Sequence, residues 1–94
     1  MLIFAMKADL YLPDLHSLKE KRKIRHSLVE KIKARNTSVI ESGHQDEHQH
    51  LQLLLSFASL SEQEAQKKKD FILELFYEVT EHVNLVDDLI SVEQ

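Results

Sequence analysis

Two Ser-x-x-Glu segments, Ser17 to Glu20 and Ser61 to Glu64, constrain the fold of this chain more than any other feature. In such a capping box the serine hydroxyl accepts a hydrogen bond from the glutamate N–H, and the glutamate side chain reaches back to the serine N–H. Each box therefore marks the first turn of a helix. Each also follows an apolar stretch that is long enough for one strand, so the sequence predicts two strand–helix units.

The alternation of apolar and polar residues places the remaining elements. Residues 2–12 place only apolar side chains on one side and a mixture of apolar and polar ones on the other, which predicts a strand with one buried and one mixed face that Pro13 stops. The other predicted elements are a helix over 18–35 closed by Asn36, a strand over 37–42, a polar turn over 43–50, a strand over 51–60, a helix over 62–82 and a strand over 85–92. This order predicts an α+β fold of the ferredoxin-like plan, β-α-β-β-α-β, with a four-stranded antiparallel sheet and two helices on one face. With 94 residues, the chain is expected to form a single domain over 1–94.

Helical wheels define the inner face of each helix. In the first helix the inner sector holds five apolar residues (Leu18, Ile24, Leu28, Val29 and Ile32), and Lys21 and Arg25 fall inside the same sector. We expect both cations to lay their aliphatic stems along the core and to keep their charges in water. The inner stripe predicted for the second helix is Ala65, Ile72, Leu75, Phe76 and Val79.

The run Leu51–Leu60 is the most apolar in the chain and predicts a central strand that is buried on much of both faces. Two helices on one side of a sheet cannot cover all of it. Leu54, Ala58 and Leu60 alternate onto the side away from the helices, beside Ile3 and Ala5 if the two strands pair. A second copy of the chain commonly covers such a face, so we expect a homodimer or a larger homo-oligomer.

Charge is divided unevenly along the chain. Residues 1–35 carry nine Lys or Arg against four carboxylates, whereas residues 36–94 carry three against twelve, so the two parts hold net charges of +5 and −9. The cations crowd the first two turns of the first helix at Lys19, Lys21, Arg22, Lys23 and Arg25. This cluster favours contact with the phosphates of RNA or another polyanion. A solvated helix face, or a surface that meets acidic proteins, explains the same pattern.

Histidines form a second cluster in the polar turn. His44, His48 and His50 lie within seven residues and are joined by Asp46 and Glu47. Imidazole and carboxylate are zinc ligands, but a structural zinc site closes on four ligands, and this spacing matches no zinc motif. We therefore expect no metal site; the three histidines are the candidates if one exists.

The residues needed for common catalytic sites are missing from the sequence. The chain has no cysteine and one glycine, which excludes a thiolate nucleophile and a glycine-rich phosphate loop. Ser17 is explained as a helix cap. We expect a binding protein with no cofactor rather than an enzyme. No apolar run reaches the 18 residues that a membrane span needs, and residues 1–6 lack the basic flank of a signal peptide.

Two motifs carry a resemblance to a known family. Pro13 followed by His16-Ser17-Leu18-Lys19-Glu20-Lys21-Arg22, and then Gly43-His44-Gln45-Asp46, resemble the YlxP-like family of small bacterial proteins of unknown function. The resemblance covers nearly the whole chain. It implies a ferredoxin-like fold, a cytoplasmic location and a link to RNA or ribosomal particles. Together with the basic helix, it makes an RNA- or ribosome-associated binding module the leading hypothesis. The alternative is a homo-oligomeric structural or protein-interaction module with no nucleic-acid role.

Overall fold

The computed structural model describes residues 1–92, and its elements follow the predicted order. They are β1 (Leu2–Tyr11), α1 (Leu18–Lys33), β2 (Ser38–Glu41), β3 (His50–Ser59), α2 (Glu62–Val79) and β4 (His82–Ser91). All strands are antiparallel to their neighbours in the order β2-β3-β1-β4. The ferredoxin-like prediction is confirmed. The single domain was predicted over 1–94, and residues 93–94 lie outside the described part.

The core lies between the helices and one face of the two central strands. Phe4 pairs with Phe57 across β1 and β3, and their rings stack with centroids 4.8 Å apart. The next same-face pairs toward the other end of the sheet are Met6 with Leu55, Ala8 with Leu53 and Leu10 with Leu51, and all six residues are buried. α1 adds Leu28 and Ile32 to this layer, and α2 adds Ala65, Ile72, Leu75 and Phe76. We call this the inner face of the sheet.

Both predicted helix starts form, through the serine half of each capping box; the Ser61 N–H bonds the Ser59 hydroxyl rather than Glu64. Ser17 and Ser61 have extended backbones, and their hydroxyls accept hydrogen bonds of 3.2 Å from the N–H groups of Glu20 and Glu64 respectively. Each bond satisfies a donor that the helix itself leaves unpaired, so the first turn is fixed locally.

The helix ends differ from the sequence prediction. α1 ends at Lys33 rather than near residue 35, because the chain tightens into turns that lead to Asn36, whose φ of 55° is left-handed. α2 ends at Val79 rather than near residue 82, because Thr80 becomes extended and donates its hydroxyl to the Tyr11 carbonyl oxygen at 2.6 Å. β4 consequently starts at His82, three residues before the predicted start. Val79 is 38% exposed, so its assignment to the inner stripe is wrong.

β3 also differs from the prediction that it would be buried on both faces. Leu51, Leu53, Leu55 and Phe57 on the inner face are buried, whereas Leu54 on the outer face is 39% exposed. Leu60 lies beyond the strand and is exposed. The outer face is therefore open in the single chain. Within residues 1–92 no helix is both long and apolar enough to cross a membrane.

Candidate functional site

The solvent side of α1 carries an exposed basic surface. Lys19, Arg22 and Lys23 are exposed, and they lie on adjacent turns of one helix face at spacings of three and four residues. In the described part of the chain, none of the three has a carboxylate oxygen within 4.0 Å. We call these three residues the α1 basic surface. Lys33 continues the same face toward the end of the helix.

Two of the five predicted contact residues do not belong to this surface. The Arg25 guanidinium is half-buried, with Nη1 3.6 Å from Glu41 Oε1 on β2. Lys21 is 2% exposed. The expectation that Lys21 keeps its charge in water is wrong, because its ammonium group finds protein acceptors in the interior. It cannot reach a phosphate without leaving them.

The Lys21 ammonium joins α1 to the turn that follows β2. Its Nζ donates to the carbonyl oxygens of His44 at 2.6 Å and Glu47 at 2.8 Å, and it lies 3.3 Å from Glu41 Oε2. An ammonium group has three N–H donors, and here three oxygens surround it. The helix motif and the Gly-His-Gln-Asp motif are thus in direct contact through one side chain.

The turn itself needs its glycine. Gly43 has a φ of 70°, and a Cβ at this position would lie 2.5 Å from the Gln52 side-chain oxygen. His44 follows with a φ of 53°, so two consecutive residues are left-handed. Gln52 is held in place because its amide donates to both oxygens of Asp9 at 3.0 and 3.2 Å. This backbone path sets the position of the His44 side chain.

His44 extends over the end of the outer face, between two carboxylates. Its Nε2 is 3.7 Å from Asp9 Oδ1, and its Nδ1 is 3.5 Å from Glu47 Oε2. The His44 ring lies beside the His50 ring, with centroids 5.2 Å apart. Glu47 Oε2 is also 3.9 Å from His50 Nε2, so the same carboxylate oxygen lies close to both imidazoles.

A row of rings continues from His50 across the sheet. Tyr11 on β1 stacks against His50 with centroids 5.1 Å apart, and His82 on β4 lies on its other side at 5.5 Å. We call His44, His50, Tyr11 and His82 the histidine–tyrosine row; it lines a hollow of about 470 Å³ together with Asp9 and Glu81. The rings pack against one another. Imidazoles therefore flank the Tyr11 ring on both sides, although the tyrosine is still 39% exposed.

The structure brings together two of the three metal candidates. His44 and His50 meet, and the next imidazole in the row is His82 rather than His48. In the span 1–92 no group of three or more His, Cys, Asp or Glu side chains is arranged to hold a metal ion. Sequence reasoning missed His82 because it lies 32 residues beyond His50. The pairing of β1 with both β3 and β4 was the signal that could have located it, since Tyr11 pairs with both histidines.

The rest of the outer face carries mostly apolar and small side chains. One row of residues across the sheet consists of Ile40, Leu54, Lys7 and Val86. The next row consists of Ser38, Ser56, Ala5 and Asp88, and the last of Ala58, Ile3 and Ile90. Ile40 is 62% exposed and Val86 is 70% exposed. The first two of these rows line a shallow hollow of about 510 Å³, and the three rows together are a second candidate contact surface.

Comparison with known proteins identifies the family. The chain belongs to a family described as proteins of unknown function, DUF503, whose family model matches residues 3–87. No curated protein matches the chain.

Several solved structures share the fold at low sequence identity. The designed protein Foldit4 superposes with a TM-score of 0.60 at 6% identity, covering 98% of each chain. The designed protein LFR1 1, with a ferredoxin fold, gives a TM-score of 0.56 at 9% identity and covers 98% of this chain and 87% of that one. SnoaB, a cofactor-independent oxygenase from Streptomyces nogalater, gives 0.52 at 5% identity and covers 99% of this chain and 94% of that one. At such identities the similarity shows the fold alone.

Proposed function

We propose that this protein is a non-enzymatic binding module that contacts RNA or a ribosomal particle through the α1 basic surface. The observation that carries the proposal is that Lys19, Arg22 and Lys23 are exposed on one helix face without a carboxylate partner among the described residues. The YlxP-like resemblance, with the cytoplasmic location and the bacterial RNA link that it implies, belongs to the same proposal.

The geometry of α1 suits a phosphate partner. Lys19 to Lys33 spans about 21 Å of helix at a rise of about 1.5 Å per residue, which is long enough to follow several phosphates along one strand. Positive side chains in the first turn oppose the helix dipole, and an anion at that end relieves this cost. The helix would therefore become more stable when a phosphate binds there.

The remaining charge of the chain limits the strength and extent of binding. The net charge is −4, and twelve carboxylates lie beyond residue 35. A polyanion is repelled by most of the surface and attracted by one helix face. We therefore expect weak binding that is strongest at low salt, with the α1 basic surface as the only phosphate-contacting face.

The test is a salt titration of binding to a structured RNA and to purified ribosomal particles. Replacement of Lys19, Arg22 and Lys23 by Glu is expected to weaken binding to all RNA sequences alike, because phosphate contacts carry no sequence information. Each lost phosphate contact lowers the slope of log K against log salt by roughly 0.7–0.9. The single variant Lys23→Glu has a matched control in Lys67→Glu on α2, since Lys67 is also an exposed helix lysine. Absence of binding by the parent protein at about 50 mM salt would refute the proposal.

The second candidate function is a homo-oligomeric interaction module with no nucleic-acid role, in which α1 meets acidic protein surfaces. The open apolar rows of the outer face favour it, because surfaces of this kind mark protein contacts. Pull-down from a lysate with and without ribonuclease separates the two candidates. Partners that remain after ribonuclease, together with no RNA binding by the purified protein, support the second.

A further inference from the structure

We infer that the apolar part of the outer face is an interface with a second copy of this chain, in which Lys7 of each copy pairs with Asp88 of the other. The inference deepens the homo-oligomeric candidate above by naming its surface and its symmetry. It does not depend on RNA binding, because the α1 basic surface lies on the opposite side of the sheet.

The first support is the pattern of the face. Its three rows hold large apolar residues at Ile40, Leu54, Val86, Ile3 and Ile90, with small residues between them at Ala5, Ser56, Ser38 and Ala58. No element among residues 1–92 covers these rows, and three of the large side chains, Ile40, Leu54 and Val86, line a shallow hollow. A copy of the same surface would cover these exposed large residues with apolar side chains of its own.

The second support is charge. Lys7 and Asp88 are the two charged residues in these rows, one of each sign, and both are exposed. Neither forms an ion pair with another described residue. By contrast, the neighbouring Asp87 points to the inner face and pairs with Lys69. A surface with one cation and one anion is self-complementary under a two-fold rotation, whereas an acidic or a basic partner would leave one of the two charges opposed.

These two charges determine where the two-fold axis lies. Lys7 and Asp88 sit on neighbouring strands and one row apart, because Lys7 pairs with Val86 and Ala5 pairs with Asp88. For sheets packed face to face, the axis lies in the plane between them. One such axis exchanges the two positions: it passes through the midpoint of the line from Lys7 to Asp88, at right angles to that line.

The same axis also brings apolar residues of the two copies next to each other. With strands about 4.8 Å apart and same-face residues about 6.8 Å apart, the rotation lays Leu54 beside the partner's Ile90 and Ile40 beside the partner's Ile3. Val86 and Ala5 then lie near their own symmetry copies. The strands of the two sheets cross at roughly 70° on these ideal spacings, which is close to the orthogonal class of sheet packing.

The polar end of the face stays outside this interface. The rotation carries Asp9 and Tyr11 beyond the edge of the partner's β4, so the histidine–tyrosine row remains open to solvent. The polar side chains of that end are thus not trapped without partners, which is a condition for a stable interface. The axis was derived from the two charges alone, and it also brings apolar residues of the two copies together.

The experiment measures mass in solution by light scattering for the parent protein and two charge-reversal variants. The parent is expected to have twice the 11.0 kDa mass of one chain. Lys7→Glu and Asp88→Lys each place like charges together at two symmetry-related positions, so each is expected to raise the dimer dissociation constant by at least about 100-fold. An equimolar mixture of the two variants restores both opposite-charge pairs and is expected to form a heterodimer.

The controls separate this inference from the other proposals. Glu81→Lys reverses a charge at the polar end and is expected to leave the dimer intact, as is the triple replacement in the α1 basic surface. A monomeric parent at about 100 μM, well above the dissociation constants typical of specific dimers, would overturn the inference. So would single variants that remain dimeric, or a mixture of folded variants that stays monomeric. None of these mass measurements tests RNA binding, which is tested separately by the salt titration.

Discussion

Replacement of Lys21 by Met tests the contact that connects the two sequence motifs. Methionine preserves most of the aliphatic volume but removes the ammonium group, which leaves the carbonyl oxygens of His44 and Glu47 without their donor and the buried Glu41 Oε2 without its ion-pair partner. Removing one partner of a buried ion pair costs about 3–5 kcal/mol. Arg25 stays 3.6 Å from Glu41 and moderates the loss. We therefore expect the free energy of unfolding to fall by about 3 kcal/mol.

The assay is urea and thermal unfolding of the parent and the variant. For a domain of this size the midpoint temperature should fall by about 4–8 °C per kcal/mol, or by about 12–24 °C in all. Lys23→Met is the matched control on the exposed side of the helix, and we expect it to change stability by no more than about 0.5 kcal/mol. Amide exchange in residues 43–47 should accelerate in the Lys21 variant alone, because its turn has lost its tie to α1.

The double variant Lys21→Met, Glu41→Leu completes the argument. It replaces the ion pair by apolar side chains, so it should be more stable than Lys21→Met even though it carries one more substitution. A loss below about 1 kcal/mol in Lys21→Met would refute the reasoning. It would mean that the ammonium group contributes no more than one ordinary hydrogen bond.

Three further predictions concern single contacts, each measured by urea unfolding. Gly43→Ala should lower stability by about 1–2 kcal/mol, because φ is positive and the new Cβ meets the Gln52 side chain; an unchanged midpoint would contradict this. Ser17→Ala removes the acceptor for the Glu20 N–H and should cost about 1 kcal/mol, with rescue by Ser17→Asp. Thr80→Val removes a hydroxyl that bonds the ends of β1 and β4, and should cost about 1–2 kcal/mol; a neutral result would show that these strand ends pair without it.

The sequence predicted the parts of the fold that depend on local signals. Ser17 and Ser61 located both helix starts, because a cap needs only residues within one turn. The alternation in residues 2–12 identified the buried face of β1. The predicted helix ends were less accurate. The end of α2 depends on a hydrogen bond between Thr80 and Tyr11, and these two residues are 69 positions apart. No window of sequence contains both partners.

The candidate surfaces show the same limit. The density of cations in 19–25 singled out α1 as basic, but it could not separate the buried Lys21 from its exposed neighbours. A lysine that binds backbone carbonyls of a distant turn has the same sequence signature as one in water. Similarly, His50 and His82 are joined only by strand pairing. The outer face was better predicted, because Leu54 and Ile3 follow from alternation once β1 and β3 are adjacent.

The two proposed surfaces lie on opposite sides of the sheet, and this separation has a consequence for binding. In the dimer the two sheets are about 10 Å apart, and a helix layer covers the far side of each. The two α1 basic surfaces therefore point away from each other, so a short RNA duplex meets one of them at a time. Leu54→Glu, which should dissociate the dimer, is expected to leave the affinity per chain for a short duplex unchanged. It should weaken binding to a long flexible RNA that can engage both surfaces, because the second contact is then no longer intramolecular. Equal losses on short and long RNA would instead show that the outer face itself contacts RNA.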